Sequence, residues 1–253
     1  MFAFEIWGKF ASFRDPFTIS QNISLPIPPK TTVAGMLASI LGVEEYLEKS
    51  EFSSFDYSVV ALNPIRKKSF SQNYINDYTK FTSIHIDNIR KGNFDKIAKY
   101  GLRRKFTGKN WTPQTQINRE ILLDVRYLIF VKKFADEDTI IRHLENKISK
   151  FPLYLGNSEF AGNFKLLKIY DAQEMLNIPS AEVDSFILES DIKKIEFKEG
   201  VRYSKLSFAT KLNKNRSPIE MASVIVGSSA ISVKDMRLYR IKCEDRVYHC
   251  RFL

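Results

Sequence analysis

From Phe2 to Gly8 the chain alternates, with Phe2, Phe4 and Ile6 set against Ala3, Glu5 and Trp7. A period of two marks a half-buried strand, and this one is expected at the centre of a sheet. Lys9 to Ser24 reads as a loop with aromatic anchors at Phe10, Phe13 and Phe17. The period changes in the stretch Leu25 to Gly42, LPIPPKTTVAGMLASILG. Pro26, Pro28 and Pro29 keep the chain extended up to Lys30, because each proline fixes its own φ and drives the residue before it out of the helical region. Thr31 or Thr32 is then expected to cap a helix through its hydroxyl. Val33, Met36, Leu37, Ile40 and Leu41 form the stripe of a helix laid on a core. Gly35 costs about 1 kcal/mol in a helix interior, so a steric cause is expected for it. The helix either runs on through Glu48 or breaks at Gly42 and restarts.

Further along, Phe55 to Leu62 reads as a second strand that Asn63-Pro64 ends. No helical period is sustained between Pro64 and Glu120. Ile121 to Val131 is a third strand, with Tyr127, Ile129 and Val131 alternating against Leu128 and Phe130. Asp136 to Lys150 reads as an amphipathic helix on Ile140, Ile141, Leu144 and Ile148, with acids at its start and lysines at its end. Asn163 to Tyr170 closes as a fourth strand. The order β-α-β-(arm)-β-α-β predicts an α+β fold, with a ferredoxin-like, split βαβ domain over residues 1–170. Residues 64–120 form a long basic arm inserted between its second and third strands. Residues 171–253 are expected as a smaller, mostly-β C-terminal unit with strands at Val201–Phe208, Met221–Val226, Met236–Cys243 and Val247–Phe252. The last two suggest a hairpin turning at Glu244-Asp245. In that register Cys243 and Cys250 do not face each other, so both are expected as reduced thiols, as in a cytoplasmic protein.

Charge sharpens this picture. The net charge is +10, and residues 64–120 carry thirteen Lys/Arg against four Asp/Glu. Positive charge concentrated in one segment points to a polyanionic partner. Arg14, Lys67, Lys68, Arg103, Arg104, Lys105, Lys109 and Arg119 are candidates to neutralise phosphates. Lys30, Thr31 and Thr32 add a cation and free N–H groups at a helix N-terminus, where anions are favoured. Trp111, with Phe106 near it, is a candidate stacking platform for a base. Asn157, with Ser158, offers donors and acceptors to a base edge. The central strands lack the aromatic pattern of an RNA-recognition motif, so loops and the arm are expected to do the recognising, on a single strand whose bases are splayed out. No apolar run is long enough to span a membrane, and the N-terminus lacks the features of a signal peptide. No spacing reads as a zinc site, a P-loop or a nucleophile elbow, so neither metal nor cofactor is expected.

Four stretches in order carry a resemblance. They are Gly8-Lys9-Phe10-Ala11-Ser12-Phe13-Arg14-Asp15-Pro16; Pro28-Pro29-Lys30-Thr31-Thr32 running to Gly42; Gln114 to Leu122 followed by Tyr127; and Pro152-Leu153-Tyr154-Leu155-Gly156-Asn157-Ser158-Glu159-Phe160. Together, over roughly residues 1–170, they resemble the Cas-five family, RAMP-type subunits of type I CRISPR surveillance complexes (Cascade) active in antiviral defence. The resemblance implies a non-catalytic subunit that binds the 5′ handle of the guide RNA (crRNA), with subtype I-B or I-A favoured. It also implies as partners the Cas-seven-like backbone subunits, the Cascade large subunit and, indirectly, target DNA. The alternative is a metal-independent endoribonuclease that matures the precursor RNA, as one branch of the family does. His85, or Tyr74 or Tyr78 with a nearby lysine, would then carry the chemistry. The Lys-His pair used by that branch is missing from this sequence.

Overall fold

Residues 1–18, 21–75, 86–95 and 114–253 are described by the structure, a computed structural model. Contacts divide the chain into two units, residues 1–68 with 120–253, and residues 69–119. In chain order come β1 (Phe2–Ala11), the short β2 (Phe13–Arg14), β3 (Gln21–Asn22) and β4 (Ser24–Leu25), then helix α1 (Lys30–Leu41) and the four-residue α2 (Glu51–Ser54). β5 (Asp56–Ala61), β6 (Arg66–Ile75), β7 (Gln114–Lys132), helix α3 (Glu137–Glu145) and β8 (Asn163–Leu167) follow. The C-terminal stretch holds β9 (Ile169–Ile178), β10 (Ala181–Val183), β11 (Ile187–Leu188), β12 (Tyr203–Leu212), β13 (Pro218–Gly227), β14 (Ile231–Val233), β15 (Met236–Cys243) and β16 (Arg246–Cys250).

In the larger unit β1 pairs antiparallel with β8 on one side and β7 on the other, and β5 pairs antiparallel with β7 beyond. The spatial order is therefore β8-β1-β7-β5, with α1 joining β1 to β5 and α3 joining β7 to β8. β1 is buried on both faces. Phe2, Phe4 and Ile6 pack with Val33, Leu37 and Ile40 of α1 and with Ile140 and Leu144 of α3. On the opposite face Ala3 meets Leu128, Phe130 and Val60, and the C-terminal sheet covers them with Ile241, Cys243, Tyr248 and Cys250. The alternation at the N-terminus suggested one solvated face. A second layer from residues 169–252 removes that solvent, and Glu5 is buried with Arg126 as a bidentate partner. Phe186, Leu206, Phe208 and Val224 also join the core shared with α1.

Several local expectations are corrected. α1 begins at Lys30 with Pro29 as its N-cap, and no side chain caps it. The Pro29 carbonyl accepts from the Thr32 and Val33 amides at 2.9 and 3.1 Å. Proline's fixed φ pre-sets the helix start, so Thr31 and Thr32 lie inside the first turn. α1 ends at Gly42, whose φ of 77° lets its N–H reach back to the Ala38 carbonyl. Gly35 faces Tyr46, whose hydroxyl would lie 3.3 Å from an added Cβ. α3 stops at Glu145, and Lys147 takes a left-handed φ of 55°, which leaves Ile148 51% exposed, off the stripe. Of the three loop anchors only Phe13 is buried, while Phe10 and Phe17 stay 41% and 66% exposed.

The C-terminal hairpin turns at Glu244-Asp245 as expected, pairing Cys243 with Arg246 and Tyr239 with Cys250. Both cysteines are free and buried. β9, a stretch without a clear period in the sequence, pairs with β15 as the other edge of that sheet. Among the described residues no helix is long and apolar enough to cross a membrane.

Within the smaller unit, β6 pairs with β7. There Ser71 donates to Asn118 Oδ1 at 2.6 Å, and Arg119 donates to Gln72 Oε1 at 2.7 Å. Residues 86–90 are helical.

Candidate nucleic-acid interface

The prolines before α1 set the frame. Proline carbonyls still need donors, and two buried tyrosines supply them. Tyr127 Oη donates to the Pro26 carbonyl at 2.6 Å and Tyr57 Oη to the Pro28 carbonyl at 3.4 Å. Burial pushes both phenols above their usual range, so they stay neutral donors. The extended segment is thus laid across β7 and β5. Phe13 pairs with Leu25 and Arg14 with Ser24, and the Phe13 ring lies edge-on to Tyr127 at 5.9 Å.

The turn at residues 153–162 docks on the same end of the sheet. The Ser12 N–H donates to the Leu155 carbonyl at 3.0 Å. Gly156, at φ +95°, comes so close that a Cβ there would sit 1.9 Å from the Ser12 carbonyl oxygen. Gly8 has the same kind of cause, since its Cβ would fall 2.5 Å from Leu155 Cδ1. Glu120 closes the arrangement. Its Oε1 accepts from the Ser24 N–H at 3.1 Å and from Lys67 Nζ at 2.8 Å, and Lys67 also donates to the Ser24 carbonyl at 2.8 Å. The Ser12 hydroxyl donates to the Glu120 carbonyl at 3.3 Å. Within this unit, residues of the first, third and fourth sequence motifs therefore meet in one network around Ser12, Ser24 and Glu120.

Cations rim this end. Lys9 and Arg66 share Asp124 at 2.7 and 2.6 Å. A hydrogen bond from Lys9, with the charge of Arg66 nearby, holds the Asp124 carboxyl below its usual range. Arg14 is exposed, its guanidinium 3.5 Å from the Thr18 carbonyl, and Lys68 is exposed beside Lys67. Lys9, Arg14, Arg66, Lys67 and Lys68 stand here among the carboxylates of Asp15, Glu120, Asp124 and Glu159. Exposed ion pairs of this kind are worth about 0–1 kcal/mol, so a phosphate competes readily for Lys9 and Arg66. Asn157 is half-buried, its carbonyl accepting from the Phe160 N–H at 3.0 Å, and Ser158 next to it is exposed.

Lys30, Thr31 and Thr32 lie elsewhere. Lys30 is 8% exposed, with Nζ 5.2 Å from the centre of the Phe55 ring. Burial pushes its ammonium below the usual lysine range, opposed by the charges of Asp56 and Glu220. Asp56 pairs with Lys132, twelve residues along β7 from Glu120, while Ser24, bonded to Glu120, stands six residues of extended chain before Lys30, a reach of at most about 20 Å. The structure therefore separates the α1 N-terminus from the Arg14–Lys67–Lys68–Asn157 group. Thr31 instead lines a small groove with Tyr46, Lys49, Ser53, Thr210 and Lys211.

The remaining candidates divide as follows. Arg119 is buried. Arg103, Arg104, Lys105, Phe106, Lys109, Trp111, Tyr78 and His85, and the side chain of Tyr74, lie outside the described residues. His143 Nδ1 is 2.9 Å from the Thr139 carbonyl one helical turn away, and the His249 N–H donates to Asp184 Oδ2 at 2.9 Å. Among the described residues no three His, Cys, Asp or Glu cluster as a metal site. Sequence reasoning missed Lys9, Arg66, Asp124 and Glu120. Glu120 carried the one available signal, as an isolated acid at the end of a basic stretch.

A family described as "CRISPR-associated protein (Cas_Cas5)" matches residues 1–239. No curated protein matches the sequence. Among solved structures, a chain of a "CRISPR RNA-guided surveillance complex" shares the fold at TM-score 0.53 and 11% identity, over 90% of each chain. A "CRISPR protein from Archaeoglobus fulgidus" aligns at TM-score 0.47 and 12% identity, over 99% of this chain and 100% of that one. A chain of a "Type III-B Cmr-beta bound to cognate target RNA and AMPPnP" aligns at 0.46 and 15%, over 91% and 86%.

Proposed function

The chain belongs to the CRISPR-associated Cas5 family, and from that premise we propose that it is a non-catalytic guide-RNA subunit of a type I interference complex. It holds the single-stranded 5′ handle on the end of the sheet where three of the four motifs meet. The β8-β1-β7-β5 body with its two helices is read here as the ferredoxin-like RAMP domain, and residues 64–120 as its basic arm. The observation that carries the proposal is the network of Ser12, Ser24, Glu120 and Lys67, rimmed by Lys9, Arg14, Arg66 and Lys68. A rigid backbone frame with exposed cations around it suits a strand held by its phosphates, and Asn157 and Ser158 stand where a splayed base edge would be read.

The arm, with Arg103, Arg104, Lys105, Lys109 and Trp111, would extend this binding over a neighbouring backbone subunit, and the large subunit would dock nearby. Target sequence would be read by base pairing. A cytoplasmic setting follows from that role.

The test is binding of a handle oligonucleotide across a salt series, against a scrambled one, for the protein and for its Arg14→Ala/Lys68→Ala variant. A handle preference is expected, with a log K versus log salt slope that flattens by about 1.4 in the variant, two phosphates at about 0.7 each. Equal affinity for handle and scrambled strands sinks the handle assignment. An unchanged slope moves the binding away from this rim.

A further inference from the structure

The β12–β13 hairpin lies outside the interface described above. Its root is fixed, since Leu206, Phe208 and Val224 are buried in the main core. Its tip is also fixed. Asn213 Oδ1 accepts from the N–H groups of Asn215 and Ser217, both at 2.9 Å. The Asn213 N–H donates to the Ser217 carbonyl and the Arg216 N–H to the Asn213 carbonyl, again at 2.9 Å each. The pairing is bulged between Ala209 and Leu212, which adds local twist. On this turn Lys214 and Arg216 are exposed.

The charge pattern changes along the hairpin. Lower down, Lys205 pairs with Glu189. Near the tip Lys211 is only 3.8 Å from Glu220, at the margin of an ion pair. From Lys211 to Ile219 there are three cations and no acid. The tip also adjoins the start of α1, because Thr210, Lys211 and Leu212 line the same groove as Thr31, and Glu220 lies near enough to bias Lys30. A pre-set turn that carries two exposed cations, with Lys211 just behind it, is a surface organised for repeated negative charge. The turn pays its ordering entropy on folding rather than on binding.

We infer that the β12–β13 tip is a second nucleic-acid contact, in which Lys214, Arg216 and Lys211 take phosphodiester groups of a strand passing the α1 N-terminus. It goes beyond the handle reading and does not use the rim residues. The phosphodiesters come either from guide RNA or from duplex DNA next to the complex.

The test uses the full chain with Lys214→Gln/Arg216→Asn. Asn is chosen because Arg216 has a left-handed φ of 60°, which Asn tolerates. Salt slopes are measured on the single-stranded handle and on a DNA duplex. Loss of two phosphate contacts lowers the slope by about 1.4 on the single strand or about 1.8 on the duplex. The substrate that shows the drop names the source. If the wild-type protein prefers the handle and the variant keeps both slopes, the inference is overturned while the handle reading stands. If the wild type shows no handle preference and the variant still loses slope on the duplex, the handle reading fails and the inference holds. Wild-type binding to neither substrate overturns both. A variant that keeps both slopes but no longer co-purifies with the backbone subunit marks the tip as a protein contact, which also overturns the inference.

Discussion

Replacing Gly156 by Ala isolates the contact that brings the first and last motifs together. The added Cβ would sit 1.9 Å from the Ser12 carbonyl oxygen and 2.7 Å from its carbon, at a φ of +95°. Carbon and oxygen do not approach closer than about 3 Å, so the turn must retreat by at least about 1 Å. That retreat breaks the Ser12 N–H to Leu155 carbonyl bond, now 3.0 Å. Leaving those buried backbone groups unpaired costs about 1–3 kcal/mol, and holding Ala at a positive φ about 1–2 kcal/mol more. The total is about 2–5 kcal/mol. Expressed globally, at about 2–4 °C per kcal/mol for a chain of this size, the melting temperature falls by roughly 4–20 °C. Expressed locally, the Ser12 amide loses hydrogen-exchange protection while the core keeps its own. In both cases handle affinity falls with the loop, although no cation has been touched. A Gly156→Ala protein with unchanged melting, unchanged Ser12 exchange and unchanged handle binding would refute the reasoning.

Four further outcomes are expected. Tyr127→Phe leaves the Pro26 carbonyl without its donor and lowers stability by about 1–3 kcal/mol, read by urea unfolding. Phe130→Ala, at a buried ring edge-on to Tyr248 at 5.9 Å, costs about 3–5 kcal/mol in the same assay. Burial pushes the Cys243 thiol up to about 11 and raises Cys250 as well. Above about pH 9 the unfolded chain releases thiol protons that the folded one keeps, so stability falls as pH rises from about 9 to 11. Thermal melts across that range should show the fall, and a Cys243→Ser/Cys250→Ala protein should show less of it. Lastly, precursor repeat RNA incubated with the protein in EDTA should stay intact. Specific cleavage there would establish the endoribonuclease reading instead.

Much of the body was legible because its signals are local. The Phe2–Ile6 alternation, the Val33–Leu41 stripe and the valine run at 59–60 each name their element, and their order supplies the sheet. What the sequence hid was tertiary. Glu5 reads as a solvated position until a second layer covers it. Ile148 continues a helical stripe that Lys147 ends by going left-handed. The separation of Lys30 from Arg14 was not visible either. The proline segment between them reads as extended, as it is, but no local signal says that two tyrosine hydroxyls from β7 and β5 lay it along the sheet. Lys67 stood out as a cation, while its anchor Glu120 lies fifty-three residues away.

The Lys67–Glu120 ion pair also bears on how such a chain can change over time. The chain leaves the larger unit at Lys68 and re-enters it at Glu120, and next to those points the side chains of Lys67 and Glu120 form an ion pair of 2.8 Å. For the body, everything between is a loop of fixed closure. Doubling such a loop adds only about 0.6 kcal/mol of closure entropy. Length and sequence in residues 69–119 are therefore almost uncoupled from the stability of the rest. Segments can be lengthened, shortened or traded between relatives to suit a new neighbour, while the body folds as before.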